Sequence, residues 1–180
     1  LRDRMKFFKK APETEKIVKQ LKDNNGIYLV PAFTGLGAPH WNANSRGVLS
    51  GITRDTSPKE IVRATIEAVA YQTFDLFEAM KHDGLRPRIV KVDGGMVMNN
   101  WFSQFLSDVV NVKVLRPKVQ ETTAAGAAFM AGLNIGVYKS LKDISKNWNL
   151  DKQFSPKMKN NLRNSLLKGW LTAIKRTLIN

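Results

Sequence analysis

Cysteine is absent from the 180 residues of this chain. The absence excludes disulfides, thiolate catalysis and cysteine-ligated metal sites. Long hydrophobic runs are also missing, because the longest candidate, residues 124–133, is shorter than the ~18 residues that cross a bilayer. Histidine is scarce, and neither His40 nor His82 has the neighbours in sequence that a metal site requires. The chemistry must therefore use other side chains or the backbone.

The start of the chain has no initiator methionine. Residues 1–6 include basic side chains but no apolar stretch follows them, so they do not form a secretory signal. The apolar pattern also opens abruptly at Leu1. We interpret these features as truncation of a longer protein.

Acidic residues are few relative to basic ones, and the formal net charge is +14. Such a charge can indicate binding to nucleic acid or to an anionic lipid surface. The lysines are spread along the whole chain, however, and no basic strand with interleaved aromatic residues is present. We therefore favour a solvated basic surface and expect neither nucleic acid nor membrane as a partner.

Apolar periodicity and turn signals predict alternating strands and helices, which is typical of an α/β fold with a parallel or mixed sheet covered by helices. The predicted strands are 27–30, 47–52, 88–92 and 113–115, and the predicted helices begin near Ser57, Asn99, Glu121 and Ser155. Residues 141–154 are predicted to be a connecting region. We expect a single domain over residues 1–180.

The helix that begins at Ser57 has the clearest signals. Ser57, Pro58 and Glu60 form a capping pattern, and a turn at residues 83–84 ends the helix. The spacing predicts a buried stripe with a polar stripe opposite it. The expected buried residues are Val62, Ile66, Val69, Thr73, Leu76, Phe77 and Met80, and the expected polar residues are Glu60, Arg63, Glu67 and Glu78.

Two stretches are candidate ligand sites. Asp93, Gly94 and Gly95 follow a predicted strand, where ligands bind in such sheets, and Asn99 could offer its amide to an adenine edge or a ribose. The same Asp-Gly-Gly pattern also occurs in plain turns. Residues 122–128 begin a helix with very small side chains, which could lie against a nucleotide or pack tightly on the sheet. We favour packing for Ala127 and Ala128 and leave the first turn open.

Several segments together resemble the FGGY family of carbohydrate kinases. These are Gly47–Ile52 followed after seven residues by Glu60–Glu67, the turn Val92–Gly95 with Asn99 and Asn100, and Thr122–Ala128. Within the family, the stretch Pro31–Trp41 resembles the members that phosphorylate glycerol rather than xylulose, ribulose or gluconate. The resemblance implies an actin-like, ribonuclease-H-like ATPase fold, present here as an incomplete C-terminal lobe.

The resemblance also implies site residues and partners. Gly94, Gly95 and Asn99 would contact the adenosine of ATP, Thr122 and Gly126 would support that pocket, and Asp93 would shape the turn. The catalytic aspartate, the glycerol-binding residues and the ligands of Mg²⁺ would lie upstream of Leu1. The expected parent is a cytoplasmic, homo-oligomeric ATP:glycerol 3-phosphotransferase, and the isolated chain is expected to be inactive. The alternatives are a lobe of a related FGGY sugar kinase and a non-catalytic remnant that binds nucleotide or nucleic acid.

Overall fold

The computed structural model describes residues 1–179 and has the α/β architecture that the sequence predicts. Its helices are α1 (Glu13–Lys19), α2 (Pro58–His82), α3 (Asn100–Val110), α4 (Thr122–Asn134), α5 (Leu141–Ser145) and α6 (Asn160–Leu178). Its strands are β1 (Tyr28–Val30), β2 (Val48–Ser50), β3 (Ile89–Lys91), β4 (Lys113–Pro117) and β5 (Leu150–Phe154).

The strands form two sheets. β1 and β2 pair antiparallel, whereas the three-stranded sheet has the order β3-β4-β5. β3 runs parallel to β4, and β5 runs antiparallel to β4, so this sheet is mixed. A parallel pair requires a crossover connection, and α3 supplies it. The mixed sheet with covering helices is confirmed.

The core lies where α2, α3 and α6 meet. Tyr71 of α2 stacks on Trp170 of α6 with ring centroids 5.3 Å apart, and it meets Phe105 of α3 edge-on at 5.6 Å. Trp170 is fully buried. This aromatic group fixes α3, and therefore the loop that precedes α3, against the two longest helices.

The predicted faces of α2 are partly wrong. The cap is confirmed, since Ser57 and Glu60 form a reciprocal capping box. Glu60, Arg63 and Glu67 are buried, however, while Val69, Leu76 and Met80 are more than a third exposed.

Hydrogen bonds explain the burial of these charged residues. The Nε of Arg63 donates to Glu67 over 2.7 Å, and Nδ2 of Asn24 donates to the same carboxylate over 2.9 Å. Buried charges are tolerated when they are paired in this way. Periodicity alone assigns such residues to the solvent.

The last third of the chain departs from the prediction. Residues 141–154 contain a short helix and β5 rather than a simple connection. α6 begins at Asn160, five residues after Ser155, and Leu162 in its first turn is 53% exposed. Ala127 and Ala128 of α4, which we expected to pack, are exposed.

Candidate functional site

The two predicted site stretches follow neighbouring parallel strands. Residues 93–95 come after β3, and residues 118–122 come after β4, so both lie at the carboxyl edge of the sheet. The N–H of Gly94 donates to the carbonyl of Gln120 over 3.3 Å. Ligands bind at this edge in open α/β sheets.

Glycine gives the turn after β3 its shape. Gly94 has a φ of +83°, a conformation that side chains disfavour, and a Cβ added at Gly94 or Gly95 would meet no atom within 4 Å. Asp93 is exposed beside them. The backbone of residues 94–95 is therefore open to a flat ligand.

Asn99 lies one 3₁₀ turn beyond these glycines, at the N-cap of α3. Its Oδ1 accepts a hydrogen bond from the N–H of Phe102 over 3.0 Å, which satisfies one of the free donors of the helix start. Its Nδ2 donates to Oγ1 of Thr14 over 3.4 Å. The neighbouring N–H, of Asn100, donates to Glu15 over 3.3 Å.

α1 therefore closes the site from the side. Burial acts to raise the pKa of Glu15, but its ion pair with Lys19 and the hydrogen bond from Asn100 favour the charged form and lower that pKa on balance. The Nζ of Lys19 lies 2.5 Å from the Glu15 carboxylate. A charged carboxylate thus anchors α1 to the start of α3.

A cavity of about 360 Å³ opens between α1 and the turn after β3. Most of its walls are apolar, and polar groups are concentrated near Asn99 and Thr14. The size and the mixture suit a small, flat heteroaromatic group. The lining residues are Phe8, Ala11, Pro12, Thr14, Glu15, Ile66, Gly95, Met96, Met98 and Asn99.

Arg116 of β4 stabilises the 3₁₀ turn that lines this cavity. Its guanidinium is buried and donates from Nη1 to the carbonyl of Val97 over 2.8 Å, while its Nε donates to Asp151 over 2.7 Å. The 3₁₀ turn at residues 95–98 is thereby tied to the sheet. The sequence analysis did not identify Arg116. An arginine directly after three predicted strand residues could have indicated a functional or supporting side chain at the end of that strand.

Thr122 and Gly126 do not enter the cavity beside Asn99. They line a second cavity of about 370 Å³ together with Lys91 and Trp148, where the Lys91 ammonium lies 4.2 Å from the Trp148 ring centroid. The two cavities belong to the same sheet edge and are linked through the Gly94–Gln120 hydrogen bond. The supporting role of Thr122 and Gly126 stays a prediction.

Within residues 1–179, no group of three or more histidine, aspartate or glutamate side chains is placed to hold a metal ion. Over the same residues, no helix combines the length and the apolar character needed to span a membrane.

Comparison with curated sequences matches this chain to glycerol kinases of several organisms. The chain is 52% identical over 176 residues to glycerol kinase 1 of Pseudomonas aeruginosa and 48% identical over 179 residues to the glycerol kinase of Thermoanaerobacter pseudethanolicus. The alignments cover 98% and 99% of this chain and 36% of each relative. The chain therefore spans about a third of the length of these curated relatives.

Solved structures agree on the fold. The crystal structure of Plasmodium falciparum glycerol kinase with ADP superposes with a TM-score of 0.85 at 34% identity, covering 97% of this chain and 35% of that protein. A ligand-bound xylulose kinase from Lactobacillus acidophilus superposes with a TM-score of 0.76 at 22% identity, covering 96% of this chain and 35% of that protein, which supports the fold alone. The expected actin-like ATPase fold is confirmed.

Residues 3–135 match the C-terminal domain of the FGGY family of carbohydrate kinases. This range contains the glycine turn, Asn99 and α1, which together form the cavity described above. The predicted resemblance is confirmed, and the chain belongs to the FGGY family of carbohydrate kinases.

Proposed function

We propose that this chain is the C-terminal, nucleotide-binding domain of an ATP:glycerol 3-phosphotransferase. Such an enzyme transfers the γ-phosphoryl group of ATP to a hydroxyl of glycerol and releases ADP and sn-glycerol 3-phosphate. The observation that carries the proposal is the cavity between Gly95 and Asn99, in a chain 52% identical to a glycerol kinase. The domain extends over residues 1–180.

We propose the following roles for the residues in and around this cavity. Gly94 and Gly95 let the nucleotide approach the backbone, Asn99 offers amide groups to the base, and the apolar walls cover its faces. Thr122 and Gly126 hold the neighbouring edge, and Asp93 shapes the turn. The Plasmodium protein with a closely similar fold was crystallised with ADP, which supports adenine nucleotide as the ligand.

Catalysis requires groups in addition to this cavity. Phosphoryl transfer depends on positioning the γ-phosphate and neutralising its charge, for which kinases use Mg²⁺, and on a base that accepts the hydroxyl proton. We propose that the catalytic aspartate, the glycerol-binding residues and the Mg²⁺ ligands belong to the part of a complete enzyme that this chain does not match. The 180-residue chain alone would then bind nucleotide without turnover.

Glycerol is favoured over other carbohydrate substrates by the identities. The bacterial glycerol kinases are 46–52% identical to this chain and the Plasmodium glycerol kinase is 34% identical, whereas the gluconate and xylulose kinases of known structure are 17–22% identical. A cytoplasmic, homo-oligomeric enzyme remains part of the proposal.

A chimera tests the function. The 180 residues replace the corresponding segment of the Pseudomonas glycerol kinase, and ADP release is measured with glycerol, xylulose or gluconate as acceptor. We expect glycerol-dependent turnover by the chimera and none by the 180-residue chain alone. A folded chimera that binds glycerol but neither binds ATP nor releases ADP would contradict the proposal, as would turnover by the isolated chain.

A further inference from the structure

The side-chain amide of Asn99 makes one hydrogen bond at each of its two ends. On one side, the partner is the backbone N–H of Phe102, which can only donate. On the other side, the partner is the hydroxyl of Thr14. A hydroxyl can either donate or accept, so its role depends on where its single proton points.

The hydroxyl proton of Thr14 is already used in a different hydrogen bond. Its Oγ1 donates to the carbonyl of Ala11 over 2.7 Å, and a carbonyl can only accept. Oγ1 must therefore act as an acceptor toward Asn99. Thr14 is 7% exposed, so water has little access to its hydroxyl and does not readily replace either hydrogen-bond partner.

The two contacts together select one orientation of the amide. Nδ2 faces Thr14 and Oδ1 faces Phe102. Rotating the amide by half a turn would set Nδ2 against the Phe102 N–H and Oδ1 against the oxygen of Thr14. Both hydrogen bonds would be lost, and polar atoms in a partly buried site would stay unsatisfied.

The orientation leaves a defined pattern for a ligand. An amide has two N–H groups and two lone pairs on oxygen, and one of each is used by the contacts above. One N–H and one lone pair of Asn99, which is a lining residue of the cavity, therefore remain for a ligand. This pair complements the 6-amino group and N7 of adenine, whereas a 6-oxopurine presents acceptors at both positions.

We propose that Thr14 is a positioning residue that fixes the Asn99 amide and thereby makes the cavity select adenine over 6-oxopurines. The inference rests on the proposed nucleotide-binding function. α1 keeps Thr14 in place, because Glu15 accepts from the Asn100 N–H and Arg63 of α2 donates to the carbonyl of Leu21 over 2.6 Å. No sequence pattern points to Thr14, because its partner Asn99 is 85 residues away.

The test compares two nucleotides that differ at position 6 of the purine. ADP and IDP are titrated into the 180-residue chain by calorimetry, and the ratio of their dissociation constants is the readout. Three variants are measured with the parent: Thr14→Val, Thr14→Ser and Thr177→Val. Thr177 is the matched control, because it is also buried and its hydroxyl donates to a helix carbonyl, that of Ala173, outside the cavity.

We expect the parent to prefer ADP by about tenfold, the factor that corresponds to about 1.4 kcal/mol. Thr14→Val removes the acceptor and should reduce the preference to about two- or threefold, since one net hydrogen bond corresponds to about a fivefold change in a dissociation constant. Thr14→Ser and Thr177→Val should retain the parent preference. In ¹⁵N spectra, the Asn99 side-chain amide should shift in Thr14→Val only.

The results distinguish failure of the positioning role from failure of nucleotide binding. If Thr14→Val weakens ADP and IDP equally and the ratio is unchanged, the positioning role is overturned while nucleotide binding stands. If the parent binds neither nucleotide, the proposed function fails and this inference fails with it.

Discussion

Asp75 is a buried carboxylate in the middle of α2, where it links two distant segments. It accepts a hydrogen bond from Nε1 of Trp170 over 2.9 Å, and Nε2 of His40 lies 3.4 Å away. Burial raises the pKa of Asp75, the nearby Glu78 carboxylate adds to the increase, and Trp170 and His40 act in the opposite direction. The folded state therefore favours protonated Asp75 more than the unfolded state does.

The pH dependence of unfolding follows from this difference. Between the unfolded and folded pKa values of Asp75, the folded chain binds more protons, so its stability falls as pH rises from about 4 through the raised pKa. Asp75→Asn keeps an acceptor for Trp170 and removes the ionisation. We expect the free energy of unfolding, measured in denaturant at several pH values from 4 to 7, to change less with pH in this variant.

The control for Asp75 is His40→Gln, which removes the imidazole and leaves the carboxylate. This variant should keep the decline in stability with rising pH. Equal pH profiles for Asp75→Asn and the parent would contradict the assignment.

Residue-level prediction from sequence succeeded where a local rule decides the outcome. The capping box at Ser57 and the helix start near Asn99 both follow from short-range signals, and both are present. It failed for Glu67, whose burial depends on Asn24, 43 residues away. A periodic pattern contains no information about such a distant partner.

At the scale of elements, a close approach between α6 and β1 depends on one glycine. A Cβ added at Gly169 would overlap both the hydroxyl oxygen and the ring of Tyr28. Tyr28 in turn packs against Tyr71, with ring centroids 5.8 Å apart. The Tyr28 ring therefore cannot move away from α6 without disturbing the core.

Gly169→Ala should therefore lower the free energy of unfolding by about 1–3 kcal/mol, the usual cost of overpacking, despite the better helix propensity of alanine. Gly126→Ala is the matched control, since Gly126 is also helical and its added Cβ would meet no atom within 4 Å. That variant should be up to about 1 kcal/mol more stable than the parent. Urea denaturation of both variants measures the difference, and a stabilised Gly169→Ala would refute the packing argument.

Element prediction was accurate for α2, α3 and β4, which have strong turn signals or apolar patterns at their ends. β5 was missed because Asp151, Lys152 and Gln153 are exposed and polar, as suits the outer strand of a three-stranded sheet. Its pairing with β4 comes from tertiary contact rather than from its own pattern. The same applies to the 3₁₀ turn at residues 95–98, which Arg116 holds from another element.

At the scale of the whole molecule, topology determines the site. Parallel pairing of β3 and β4 brings two stretches about 27 residues apart in sequence to one sheet edge. The division of that edge into two cavities was not predictable, because it depends on where α1 and residues 141–149 pack. The cavity beside Asn99 combines the predicted glycines with a helix that sequence analysis assigned no role.

The central claim is that adenosine lies between Gly95 and Asn99, and chemical-shift mapping tests it most directly. ADP is titrated into the ¹⁵N-labelled 180-residue chain, and amide shifts are followed to saturation. We expect the largest changes at Gly94, Gly95, Met96 and Asn99, with smaller changes at Thr14 and Glu15. Shifts concentrated instead on the basic surface of α6, around Lys168 and Lys175, or no shifts at all, would contradict the account.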